Sequence, residues 1–581
     1  MNAPRRNVRL FLLMVMLATA GCSGQSTEAP TPTLGPQRPS PTPPPTATPV
    51  VPPEEASGNM EEVSGVVLPR AQNELFATSG ICADCHTGMV DTSGSDVSID
   101  TDWRVSAMAN ASLDPFWQAA AAYLHEQHPE QEAFIEETCS RCHVPMSSTT
   151  AALRDESVEL IGEGGILDPE SLMEPFALDG ISCSVCHQIR ADNLGFQTSY
   201  TGNYYIDTEL RPPFRLIFGP YSITDTLAAV MQDASGFRPE QGIHLGQSEA
   251  CATCHTVYAE YLDGFGNPAG TFPQQTTYLE WYYSDYSSYA GCVDCHMEDV
   301  DGGVHIAEQS TTLRSPFEAH TFSGGNAFLL QVLSVFGGEE ALAAVNQLQE
   351  AATLLEAGLQ EDTASVSLSD VRVISGNLYA DILVENAAGH KLPTGFPSRR
   401  VWLHITVSDG SGAVVFESGG FRPDGSIIGN SSDEEDGSYE PHYLAIVQPD
   451  QVQIYETILL STENDLTTDL LYAARYVKDN RLLPPGYAKD SPYEDLAVHG
   501  RATEDEDFDS GSDLVELIAA LGDSEGPYTL RVELLYQSVG YSWLRDFIPA
   551  ESPAVLRFLA AVEQTANVPL LLAFDEVQLE P

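Results

Sequence analysis

The sequence predicts a mainly α-helical and loop region followed by a C-terminal all-β sandwich. Three observations carry that prediction. Between residues 82 and 296 the chain repeats one pentapeptide, Cys-x-x-Cys-His, five times, with short helical stretches between the copies. After residue 365 the apolar residues switch to alternation with polar ones, the period of a half-buried strand. Cysteine disappears from that second region altogether.

In chain order, residues 1–22 read as a lipoprotein signal peptide. Arg5, Arg6 and Arg9 form a positive start, and Leu10 to Ala20 form an apolar stretch too short to span a bilayer. Leu17-Ala-Thr-Ala-Gly21 then leads into Cys22, a lipobox-like junction at which Cys22 becomes the acylated N-terminus. A plain signal peptide with an incidental cysteine is the alternative. Residues 23–74 are rich in Pro, Thr and Ser, cannot bury a core, and read as a disordered stalk. At ~3.1 Å per residue, about 35 such residues reach on the order of 100 Å from a lipid surface.

Residues 75–325 contain the pentapeptides: Cys82-Ala-Asp-Cys85-His86, Cys139-Ser-Arg-Cys142-His143, Cys183-Ser-Val-Cys186-His187, Cys251-Ala-Thr-Cys254-His255 and Cys292-Val-Asp-Cys295-His296. This is the attachment pattern of c-type haem. Two thiols form thioethers, and the adjacent imidazole becomes the proximal iron ligand. Zinc is the rival reading of Cys-x-x-Cys, but a zinc site has no need of His after every second Cys. Five covalent haem c groups are therefore expected, and so much porphyrin in so little chain must itself be core. Asp114-Pro115 opens a helix over Phe116 to Leu124 that stops before Pro129. Residues 326–364 read as a helical connector, with Leu342, Val345, Leu348, Ala352 and Leu355 on one face and Gly358 as a C-cap. Residues 365–581 read as the β-sandwich. Its strands include Leu378 to Val384, Val401 to Val407, Ala413 to Glu417, Val452 to Leu460 and Leu530 to Tyr536.

The sixth ligand of each iron sets the chemistry. A second strong ligand makes a low-spin electron carrier, whereas an open position admits substrate. Candidate distal ligands are His244 before the fourth motif, His320 after the fifth, and His305. His128 is preferred over His125, one helical turn away. Met108 is the best thioether candidate, with core filling as its ordinary role. In the β region, His390 sits in Gly389-His390-Lys-Leu-Pro-Thr-Gly-Phe-Pro-Ser-Arg-Arg400, a Gly- and Pro-stiffened loop able to push a side chain toward a haem. His442 follows Pro441 and is a further candidate. Arg399 and Arg400 suit propionates, because a guanidinium grips a carboxylate at two points.

The chain has 26 Lys and Arg against 84 Asp and Glu, a formal charge of −58. That excess repels nucleic acid and suits basic redox partners. The runs Asp433 to Asp436 and Glu504 to Asp507 offer oxygen ligands for calcium, though such runs are more often solvated loops.

These motifs resemble the multihaem cytochromes related to hydroxylamine oxidoreductase and its tetrahaem electron acceptor. The likeness rests on Trp103-x-x-Ser106, Cys139 to Met146, Asp179-Gly-Ile-Ser-Cys183, Glu249 to His255, His320 to Asn326 and the Gly389 to Arg400 loop. It implies closely stacked haems, mostly with two His ligands, passing electrons. Met108 stands where the family pattern has His, which puts one such pair in doubt.

The expected function is electron transfer between a redox donor and an acceptor protein. The expected place is the outer face of a cell membrane, on the periplasmic or extracellular side, held by lipid at Cys22. The alternative is an oxidoreductase acting on a small nitrogen or sulfur compound at one five-coordinate haem.

Overall fold

A computed structural model describes residues 66–161, 164–166, 174–307, 310–337, 341–491 and 493–579. Cys22 and residues 23–65 of the expected stalk lie outside the described residues. The last expected stalk residues, 66–74, instead belong to the body. Leu68 is buried against Trp103, Ala109 and Leu342, so an apolar side chain ties these residues to the core.

The motif region is built of short helices. Helix α1 (Ser79–Ala83) carries the first motif, α3 (Glu132–His143) the second, α4 (Cys183–Cys186) the third, α5 (Ser248–His255) the fourth and α6 (Cys292–His296) the fifth. The expected helix over 116–124 is α2, Pro115–Gln127. Asp114 caps it by accepting from Phe116 N at 2.9 Å and Trp117 N at 3.0 Å, and Pro115 costs nothing at a position whose N–H would be unpaired anyway. Gly180 makes a close approach that permits no side chain. Its φ is +50°, and a Cβ there would lie 2.3 Å from Ala109 O.

The segment read as a connector holds two helices, α7 (Ala327–Phe336) and α8 (Val345–Asp362). Gly358 does not cap α8. It sits exposed inside the helix, which runs one further turn, because nothing there packs against it and the cost of an internal glycine is only about 1 kcal/mol.

The β region has two principal sheets. One runs β4–β3–β8–β9, from Val414–Ser418, Arg400–Ser408, Tyr528–Gln537 and Leu570–Leu579, with the short β6 (Ile454–Tyr455) also paired to β3. The other runs β5–β7–β2–β1, from Ala445–Ile446, Ser512–Ala520, Asn377–Asn386 and Ala364–Ile374. Alternate residues of β2, β3, β7 and β8, such as Ile382, Leu403, Val515 and Leu530, meet in one buried core. The run Val452 to Leu460 is not one strand. It divides at buried Glu456: Ile454–Tyr455 joins β3, and Thr457–Leu460 pairs with Arg475–Asp479 in a separate small sheet.

The region is also not purely β. Tyr541–Phe547 and Pro553–Thr565 are helices, α9 and α10. Val555, Phe558 and Phe547 pack against Phe116 and Ala119 of α2 and Val332 of α7. This apolar cluster binds the motif region to the β region, so the two are not beads on a string. Among the described residues no helix is long and apolar enough to cross a membrane.

Candidate functional site: imidazoles and thiols of the five motifs

Each short motif helix brings two thiols and one imidazole to its end. Free cysteine is among the most buried of residue types, yet none of these ten is buried. Nine are partly accessible and Cys295 is exposed. The motifs also converge in space. The Cys82 and Cys183 thiols touch, as do Cys142 and Cys254, and Cys251 and Cys292. Hydrogen bonds from backbone to side chain join two of these pairs. Asp179 accepts from Ser79 N at 2.7 Å, joining the first motif to the approach of the third, and Cys292 N donates to Ser248 Oγ at 3.0 Å, joining the fifth to the fourth.

Four of the five motif imidazoles share one arrangement. Nδ1 meets a backbone carbonyl for His86 (Ile306 O, 2.6 Å), His143 (Ala111 O, 2.8 Å), His187 (Phe218 O, 2.6 Å) and His296 (Ser323 O, 2.5 Å). A carbonyl can only accept, so Nδ1 carries the proton and Nε2 keeps its lone pair. Metal-ligating histidines are oriented in this way. Two distal candidates have the same pattern: His320 with Glu318 O at 3.1 Å, and His390 with Lys391 O at 3.0 Å.

Those same two rings face proximal ones. His320 lies 6.4 Å from His187 between ring centres, with planes 12° apart. His390 lies 6.3 Å from His296, with planes 7° apart. The gap is too wide for ring contact; Trp117, which does stack on His143, sits at 4.3 Å. Two metal–nitrogen bonds of about 2 Å, with roughly 1 Å from each nitrogen to its ring centre, span about 6 Å. Each pair thus has the spacing that one metal ion between two imidazoles requires. Burial pushes His320 down to about 3 and His255 down to about 4, and it also lowers His86, His143, His187 and His390. The rings stay neutral at pH 7, the form that ligates. The donor set, its tautomers and its spacing therefore fit haem iron.

The other candidates are placed differently. His244 uses Nε2 on Ile189 O at 2.8 Å, the reverse of the shared pattern, with Phe218 against its ring. His305 is exposed on a two-residue strand. Met108 is half-buried, and its carbonyl accepts from Ile181 N at 3.0 Å beside the third motif. Neither His128 nor His442 is brought to a motif imidazole by any ring contact of the structure. His128 Nε2 meets Asp469 at 2.6 Å. His442 is enclosed in the β region, with Nε2 on Asp505 and Nδ1 facing Gln453 and Asn480. Polar neighbours occupy both of these rings. Arg400 is likewise consumed: it is buried against Asp433 at 2.9 Å and Gln537 at 2.9 Å. Arg399 is held by Thr394 O and Asn326, near enough to His255 to lower it further.

A buried ionic frame around His390 was not foreseen. Asn386 donates to His390 O at 2.9 Å, Glu280 accepts from Lys391 N at 3.2 Å, and Lys391 Nζ meets Asp479 at 2.7 Å. Arg481 joins Glu280 and Asp479, at 2.9 and 2.8 Å. Only Lys391, beside His390, hinted at this frame, because its partners lie 88 to 111 residues away in sequence.

No family model matches the chain, and no curated protein matches it. Among solved structures, a penta-heme cytochrome c552 from Thermochromatium tepidum is similar, with a TM-score of 0.48 and 16% identity over 87% of this chain and 99% of that chain.

Proposed function

We propose that the chain is a pentahaem c-type cytochrome that moves electrons between a donor and an acceptor protein. The observation that carries this reading is the pair of facing imidazoles, His187 with His320 and His296 with His390, each spaced for a six-coordinate iron. Haem bound at the ten cysteines supplies reversible one-electron change. The residues supply the rest. Carbonyls fix four of the five proximal rings, the buried frame at Glu280 and Asp479 fixes His390, and the touching thiols bring the motifs close enough for electron exchange. The irons at His187 and His296, gripped on both faces, offer no place for substrate, which supports a carrier role at those two haems.

The lipobox at Cys22 supports export and anchoring on the outer face of a cell membrane, and the acidic surface suits basic partners. The test is spectroscopic. Purified protein should carry five porphyrins by mass. It should also show low-spin ferric signals from the irons at His187 and His296, with no carbon monoxide binding there once reduced. Colourless protein, or high-spin signals from both of those irons, overturns the reading. Loss of lipid labelling in Cys22→Ser tests the anchor separately.

A further inference from the structure

The second acidic run, Glu504 to Asp507, lies just before β7 and is followed by Asp509 and, after a turn, Asp513. The turn passes through Ser510 at φ +48° and Gly511 at φ +98° and brings Asp513 back toward Asp505. Asp507 is exposed, but two of these carboxylates and a histidine beside them are interior. Asp513 is 0% exposed, Asp505 2% and His442 1%. One oxygen of each carboxylate and a ring nitrogen of His442 all lie within 4.8 Å of one another. Asp507 lies against Asp505, with its Oδ1 accepting from Leu514 N at 3.1 Å.

The hydrogen bonds fix the state of His442. Gln453 Oε1 accepts from Tyr443 N, so its amino end is the one facing His442 Nδ1 at 2.9 Å. Asn480 Oδ1 accepts from Glu456 N, so its amino end also faces Nδ1, at 3.1 Å. With two donors aimed at it, Nδ1 is an acceptor. The proton therefore sits on Nε2, which donates to Asp505 Oδ2 at 3.1 Å. The ring is neutral and offers no cationic partner to the carboxylates. Lys489 reaches only the Asp505 carbonyl with its Nζ. Asp513 Oδ2 is satisfied by Tyr455 Oη at 2.6 Å and Gln453 at 3.0 Å. Its Oδ1 is buried with no hydrogen-bond partner, and His442 Nε2 stands off at 3.8 Å. A buried, unpaired carboxylate oxygen costs several kcal/mol.

We propose that Asp505, Asp507 and Asp513 bind a calcium ion, which takes the unpartnered Oδ1 of Asp513, while His442 donates to Asp505 without ligating. An all-oxygen donor set selects a hard cation, and the bent, uneven arrangement of carboxylates suits calcium over the strict octahedron of magnesium. Zinc or copper needs a nitrogen lone pair, and the two amides leave none on Nε2. The first acidic run is not equivalent, because Asp433 there is already paired with Arg400.

Full-length protein stripped with a chelator and titrated with calcium chloride in a calorimeter should take up one calcium per chain, with a rise in Tm. Asp513→Asn should abolish the binding. His442→Gln should weaken it about tenfold, as loss of an outer-shell orienting bond does. Asp507→Asn guards against misfolding of the buried variant and should also weaken the binding, whereas Asp436→Asn should leave it unchanged. No uptake by the stripped protein overturns the proposal. So does uptake that Asp513→Asn does not reduce, or zinc binding that calcium does not displace. None of these readings depends on the haems.

Discussion

The motif region and the β region use the same side chain in opposite ways. Around the pentapeptides, His86, His143, His187, His296, His320 and His390 each give Nδ1 to a main-chain carbonyl, which keeps the lone pair on Nε2. Deeper in the β region, two rings have both nitrogens engaged. His404 bridges Glu533 at 2.9 Å and Glu417 at 3.0 Å, and His442 is enclosed by Asp505, Gln453 and Asn480. A histidine oriented by one bond is poised to ligate, and a histidine held by two is a strut. The lesson is that the second bond separates the roles, more than burial does: His442 is more buried than His320 and yet has nothing left to offer.

The largest expected effect lies where this contrast is sharpest. Replacing His320 or His390 by Ala should convert one haem from low to high spin and open it to carbon monoxide, while all five porphyrins stay attached through their cysteines. Met in place of either should instead keep six ligands and raise that haem's potential. Replacing His404 by Ala should leave the visible spectrum unchanged. Should His404→Ala alter the haem spectrum and His320→Ala not, the contrast is broken.

A smaller effect should come from the frame behind His390. Asp479 is 1% exposed and pairs with both Lys391 and Arg481. Asp479→Ala leaves two buried cations short of a partner, at a cost of about 3–5 kcal/mol. The melting transition should fall accordingly. If the frame positions the ligand, the low-spin signal of the haem at Cys292 and Cys295 should also weaken while that of the haem at Cys183 and Cys186 holds. Equal loss at both would reduce the frame to general stability.

How much of this was legible in the sequence depended on how local each signal was. The thioether and proximal positions are read directly, because Cys-x-x-Cys-His is contiguous. The helix at Pro115 was legible from its cap, and strands β2, β3 and β8 from their alternation. Strand β1 was not called, because Asp370 at φ +49° and the register shift near it interrupt its alternation. Helix α10 was missed because its apolar stripe, Val555 to Ala561, faces α2, more than 400 residues earlier. The distal set was legible only as a pool of histidines. What separates His320 and His390 from His128 and His442 is the ring nitrogen's partner: a carbonyl one or two residues away for the first two, and a carboxylate from a distant segment for the others.

The contrast has an intermediate case in His128, which one strong partner holds at the surface. Its Nε2–Asp469 contact of 2.6 Å ties the end of α2 to the loop before Tyr472, and that hydrogen bond raises its pKa above the usual 6.5. A raised folded-state pKa means the protonated form is favoured by folding. The stabilisation is full below about pH 6.5 and fades as pH climbs through the raised value. Both side chains are partly solvated, so the pair is worth about 0.5–1 kcal/mol. Chemical denaturation at pH 5.5 and at pH 8.5 should show a difference of that size, and Asp469→Asn should remove it. The same comparison should leave the haem spectra untouched at both pH values. A low-spin signal that changes in His128→Gln would instead return His128 to the set of ligands.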